Sequence, residues 1–279
     1  MKLSLGFSPC PNDTFIFDAL IHHKIDTEGL EFEVFFDDVE TLNQKALHGE
    51  LDITKLSFHA FAYAYENYAL LDAGSALGFG VGPMLISKNK DLTPENLNAN
   101  LKVGIPGKYT TANFLLGIAF PHLVNKQEMI FSKIEPALVN DEIDAGLIIH
   151  ENRFTYAEKG LTKIIDLGKH WETLTGCAIP LGGIVINRNV DVDIQNKVNR
   201  LIRKSVEYAF DNPKSGIAFI KKYAQEMSED VMYKHINLYV NKYSIDLGVE
   251  GRKAIDVLFK MAEDKGIIKP LKHSLYLVP

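Results

Sequence analysis

One histidine stands where a sequence of this kind could use it for chemistry. In Asp144-Ala-Gly-Leu-Ile-Ile-His-Glu-Asn-Arg-Phe-Thr-Tyr156, His150 follows the aliphatic triplet Leu147, Ile148 and Ile149. Such a run, entered through polar residues, fits a buried parallel strand. Ligands in open α/β sheets bind beyond the carboxyl ends of the strands, so the spacing puts an imidazole at that edge. There it can serve as a proton acceptor close to neutral pH. The competing reading is a histidine that only hydrogen-bonds the next loop.

Three other stretches deliver polar groups in the same manner. The alternating strand Lys2 to Phe7 leads into Ser8-Pro-Cys-Pro-Asn-Asp13, where the prolines stiffen a turn and Asn12 or Asp13 is expected to cap a helix. The short strand Leu51 to Thr54 ends in Lys55, Leu56 and Ser57, with Ser57 placed as the N-cap of the next helix. The strand Leu101 to Ile105 leads through Pro106-Gly-Lys-Tyr to Thr110 and Thr111, two hydroxyls at a helix start. Each also admits a plain structural reading as a capped turn. Together they supply donors for a small polar, anionic ligand beside one base.

Other candidates are weaker. Cys10 at a helix start could have a lowered thiol pKa, yet no partner histidine is identifiable for it. His22 and His23 are adjacent and point to different sides of a helix, which disfavours a metal site. Gly78, Gly80 and Gly82 lack the strand-to-helix setting of a dinucleotide fingerprint and run directly into the strand Pro83 to Ser87. Trp171, the only tryptophan, reads as a core anchor in preference to a lid.

The elements that must position these groups alternate strand and helix through both halves. Val39 to Leu47 is an amphipathic helix, and Ala112 to Phe120 an apolar one ended by Pro121. From Asp191 onward the pattern is helical, over 194–210, 217–223, 231–240 and 249–265. The βα alternation is interrupted near Gly80 and again near residue 185. The expected architecture is therefore a two-lobed α/β chain with an interlobe cleft, residues 1–87 with 188–279 forming one lobe and 88–187 the other.

Length and composition agree with two ordinary lobes: 279 residues, 46% hydrophobic and 24% charged. A net charge of −6 without a basic block prepares no surface for nucleic acid or an anionic membrane. The N-terminus enters a strand pattern with no apolar leader, and two distant cysteines suit a reducing compartment, so the expected location is the cytoplasm. A non-catalytic small-anion-binding protein would need the cleft and its donors but also export or an anchor. An enzyme needs a base, which His150 supplies.

The wording of these stretches carries a resemblance. Ser8-Pro-Cys-Pro-Asn-Asp-Thr-Phe-Ile-Phe17, Asp38-Val-Glu-Thr-Leu-Asn43, Thr54-Lys-Leu-Ser57, Gly104-Ile-Pro-Gly107 with Thr110-Thr111, and Ile149-His-Glu-Asn-Arg-Phe-Thr-Tyr156 together resemble the 1,4-dihydroxy-6-naphthoate synthase family of the futalosine route to menaquinone. The resemblance runs from the first strand to at least Asn187. It implies a type II periplasmic-binding-protein-like fold and a cofactor-independent lyase acting on the small molecule cyclic dehypoxanthine futalosine. It also implies His150 as proton acceptor, with Lys55, Leu56, Ser57, Thr110 and Thr111 as substrate-binding residues. The nearest enzymatic alternative of the same fold is a chorismate dehydratase of the same pathway.

Overall fold

The computed structural model describes residues 1–150, 152–224 and 228–277. The elements, in chain order, are β1 (Lys2–Phe7), α1 (Pro11–Ile21), β2 (Glu31–Phe36), α2 (Val39–Leu47), β3 (Ile53–Ser57), α3 (Phe58–Ala64), β4 (Tyr68–Leu70) and β5 (Ala76–Gly78). There follow β6 (Met84–Ser87), β7 (Val103–Ile105), α4 (Thr111–Ala119), β8 (Lys126–Glu128), α5 (Phe131–Val139), β9 (Ala145–Ile148) and α6 (Asn152–Thr155) with a 3-10 turn to Lys159. Then come β10 (Thr162–Asp166), α7 (Leu167–Thr175), β11 (Ile179–Asn187), α8 (Val192–Asp211), α9 (Ile217–Tyr223), α10 (Glu229–Tyr239), α11 (Lys242–Ile245) and α12 (Gly248–Asp264).

Two compact units result, Met1–Gly78 with Pro180–Pro279, and Phe79–Ile179. The split is discontinuous, but its boundaries differ from 87/88 and 187/188. The physical reason is strand pairing: β6 pairs with β9 and β10 inside the second unit, while β11 pairs with β3 and β4 inside the first. Strands at the two crossings go with their ladders.

The sheet of the first unit has the order β2-β1-β3-β11-β4, with β5 also on β11. β1 runs parallel to both β2 and β3, so the loops after β1 and β3 leave the same edge. Leu3, Leu5 and Phe7 of β1 pack with Phe17 of α1, Ile184 and Ile186 of β11, and Val198, Leu201, Ile202 and Val206 of α8. The 3 and 4 spacing of those α8 residues makes one buried stripe. Ser205 interrupts the stripe without cost, because its hydroxyl donates to the Ile16 carbonyl and accepts from the Leu20 amide. Each aliphatic or aromatic side chain fully buried here contributes about 1.5–3 kcal/mol.

In the second unit the order is β10-β6-β9-β7-β8, β7 being parallel to β8 and β9. Ile134, Ala137 and Leu138 of α5 pack on Met84, Ile86 and Ile148. Trp171 of α7 is 1% exposed and its indole N–H donates to the Ala178 carbonyl at 3.2 Å, so it is a core anchor. No helix among the described residues is long and apolar enough to cross a membrane.

β11 and β3 approach each other closely at one glycine. Gly182 of β11 lies opposite Ser57, and a Cβ there would meet the Leu56 carbonyl oxygen at 2.7 Å. Backbone cannot yield as a side-chain tip can, so Gly182→Ala is expected to lower stability by about 1–3 kcal/mol. A urea-denaturation midpoint equal to wild type would contradict this.

Candidate active site

The candidate residues fall in both units. In the first unit, β3 continues through Lys55, Leu56 and Ser57, paired with β11, and does not end at Thr54. Alternation along the strand separates Leu56, a core side chain at 1% exposure, from Lys55 and Ser57 on the other face. Lys55 is buried. Its ammonium donates to Asp13 Oδ1 at 3.0 Å and to the Gly74 carbonyl at 2.9 Å, using two of its three N–H groups.

Asp13 is the centre of this network. Its Oδ1 accepts from Asn12 Nδ2 at 2.7 Å and its Oδ2 from Ser8 Oγ at 2.8 Å. Neither Asn12 nor Asp13 caps α1, contrary to the expectation from sequence. Pro11 occupies the first turn, the N-cap position is Cys10 with no side-chain cap bond, and the carboxylate turns to Lys55 instead. His235 Nε2 lies 2.8 Å from Asn12 Oδ1, which ties α10 to the first turn of α1.

Ser57 stands at the N-cap position of α3 but makes no side-chain cap bond. Asn43 of α2 holds Ser57 in place: its Oδ1 accepts from the Ser57 amide at 2.9 Å and its Nδ2 donates to Ser57 Oγ at 3.2 Å. The hydroxyl is thereby held as an acceptor, and its own proton is directed elsewhere.

In the second unit, β7 and β9 are adjacent and parallel, so the 107–111 loop and His150 emerge from the same sheet edge. Thr110 caps α4, its hydroxyl donating to the Gly107 carbonyl at 2.8 Å and accepting from the Asn113 amide at 3.2 Å. Thr111 is the first residue of α4 and is buried. Asn113 fastens the loop further, donating to the Lys108 carbonyl at 2.8 Å and accepting from Lys126 at 2.8 Å. Burial pushes the Lys126 ammonium below its ordinary pKa.

β9 ends at Ile148, one residue earlier than the aliphatic triplet suggests, and His150 follows in a turn. Its φ is +57°, the left-handed region, which costs a non-glycine residue about 1–3 kcal/mol and persists only where the surroundings over-determine it. The imidazole lies 5.0 Å from the Phe131 ring, centroid to centroid, at an interplanar angle of 59°. Just beyond, Arg153 donates to the Gly82 carbonyl at 2.9 Å.

Asn43, Glu135 and His235 were missed by motif reading, but a signal for them exists. Each is a polar residue on the apolar stripe of its helix: Asn43 with Val39 and Ala46, Glu135 with Phe131 and Leu138, His235 with Met232 and Tyr239. A polar group in that position must find a buried partner. Among the described residues no group of three or more His, Cys, Asp or Glu side chains could hold a metal ion.

Comparison with known proteins places this geometry in a lineage. The menaquinone biosynthesis family matches residues 3–264. A protein of Thermus thermophilus named 1,4-dihydroxy-6-naphthoate synthase is 41% identical over 275 residues, covering 99% of both chains. One of the same name from Streptomyces coelicolor is 38% identical over 285 residues, covering 99% of this chain and 98% of its own. A solved protein of Archaeoglobus fulgidus, 36% identical, superposes with a TM-score of 0.90 over 96% of this chain and 98% of its own. A Candida albicans protein described as having the generic periplasmic binding protein fold gives 0.71 at 14% identity, over 98% and 92% of the two chains. The last likeness establishes the α/β periplasmic-binding-protein-like fold. Matched across nearly its whole length by enzymes that share a name and by the family itself, the chain belongs to the menaquinone biosynthesis family.

Proposed function

We propose that this protein is a cofactor-independent carbon–carbon lyase that converts cyclic dehypoxanthine futalosine to 1,4-dihydroxy-6-naphthoate, with His150 as the general base. The observation that carries the reading is the placement of His150. It is a titratable side chain held in a costly backbone conformation at the carboxyl end of a parallel strand, in a chain alike over its full length to enzymes named for that product.

The chemistry asks for little more. Release of an aromatic naphthoate from a cyclised sugar adduct needs loss of a carbon-bound proton and departure of the sugar-derived fragment, and the gain of aromaticity drives it. One base and a set of donors to a developing oxyanion then suffice. In this reading Lys55, Ser57 and Thr111 donate to substrate. Leu56 lies on the opposite, core-facing side of β3 from Lys55 and Ser57, and Thr110 sets the start of α4.

The test is product formation by the purified protein. Incubated with cyclic dehypoxanthine futalosine and no added cofactor, it should yield 1,4-dihydroxy-6-naphthoate by chromatography and mass spectrometry. Turnover should survive a metal chelator. An inert futalosine derivative together with dehydration of chorismate would replace this reading by the dehydratase one.

A further inference from the structure

Glu135 is a buried carboxyl group on α5 that none of the assigned roles uses. At 1% exposure it accepts through Oε2 from Asn152 Nδ2 at 2.5 Å and from Lys159 Nζ at 2.6 Å. Asn152 opens α6, two residues after His150, and Lys159 closes the 3-10 turn that comes next. One oxygen thus anchors both ends of the segment that leaves the histidine. Oε1 is buried with no hydrogen-bond partner.

The same face of α5 reaches the histidine itself. Phe131 lies four residues before Glu135, one turn along the helix, and its ring meets the His150 imidazole at 5.0 Å. His150 takes a left-handed φ that a non-glycine residue holds only under external constraint. The ring contact and the carboxyl anchor grip the chain on the imidazole and just beyond it, from one rigid element that also packs on β9.

We infer that Glu135 is a positioning residue for His150: through Asn152 and Lys159 it fixes the turn that aims the imidazole, without touching substrate. This deepens the reading of His150 as the base and rests on it. Small displacements of a catalytic group cost rate out of proportion to their size, so removal of the anchor is expected to appear in kcat and to leave binding nearly intact.

The test uses three substitutions and a double variant. Glu135→Met keeps the approximate volume and removes the acceptor, and it should lower kcat about tenfold with KM changed by less than about twofold. Asn152→Ala, which removes the anchor from the other side, should give a loss of similar size. Glu135→Gln can set its amide oxygen where Oε2 lies and still accept from both donors, so it should retain at least about a third of wild-type kcat. In the His150→Asn background, Glu135→Met should cost nothing further, because the group it aims is gone.

Equal fractional losses from Glu135→Met in both backgrounds would make Glu135 a general structural residue and overturn the inference. So would wild-type kcat in Glu135→Met, and neither result would touch the assignment of the base. Wild-type turnover in His150→Asn alone would instead remove the base, and the positioning role would fall with it.

Discussion

Asparagine in place of His150 should lower kcat by about 10²-fold or more while KM changes by only a few-fold, the usual weight of a general base. Asparagine keeps a planar polar side chain and tolerates the left-handed region better than most residues, so the turn at φ +57° is not placed under new strain. What it cannot do is accept a proton from carbon. Acidification offers the same test in the wild-type protein. The imidazolium has no free lone pair, so kcat falls on the acid side, and that limb should vanish from the residual activity of the variant. Near-normal kcat in His150→Asn would end the assignment. A large rise in KM with kcat unchanged would make His150 a ligand anchor instead.

The second large effect is on stability and concerns the buried pair Lys55 and Asp13. Their side chains are 9% and 3% exposed, so removing one partner strands a charge in a poorly solvated place. Asp13→Asn keeps an amide oxygen beside the ammonium but removes the charge that balances it, and should cost about 3–5 kcal/mol by urea denaturation. Lys55→Met should cost less, because the carboxylate keeps Ser8 and Asn12 as donors. Combining the two should recover part of the loss, since no unpaired ion is left behind. Additive losses in the double variant would show that the pair is not coupled in the way its geometry requires.

The strands and helices that carry the candidate residues were legible because their periods are clean. β1, α2 and α9 match the expected spans residue for residue, and the four long C-terminal helices expected from the 3 and 4 spacing are present within two residues at each end. β4 and β5 were not legible. Each is three residues long and exists because β11 offers it a partner, which is information from a distant part of the chain. The same reason moved the unit boundaries, since glycine content near residue 80 signals a crossing but not which ladder Met84–Ser87 will join.

At the candidate site, residue types were readable and partnerships were not. Sequence marks Ser57 and Thr110 equally as N-caps. The structure uses Thr110 as one, whereas Ser57 makes no cap bond and is held instead by Asn43 from another helix. Lys55 reads from sequence as a strand-end donor for a ligand, whereas Asp13, 42 residues away, draws its ammonium into the interior. Contacts between distant segments depend on sheet order, and no local pattern encodes that order.

The split of the first unit also sets a schedule for its completion during synthesis. Phe79–Ile179 is contiguous, and every strand of its sheet is made from its own residues. The other sheet is interrupted at β3, whose neighbour β11 is translated only after that whole segment. At about 5–20 residues per second, the edge of Ile53–Ser57 waits on the order of 6–25 s for its partner while the inserted unit finishes first. An unpaired strand edge is a template for pairing with another chain, so this interval is when a nascent molecule is most exposed to misassociation. A complete chain refolding from denaturant carries β11 from the outset and has no such wait.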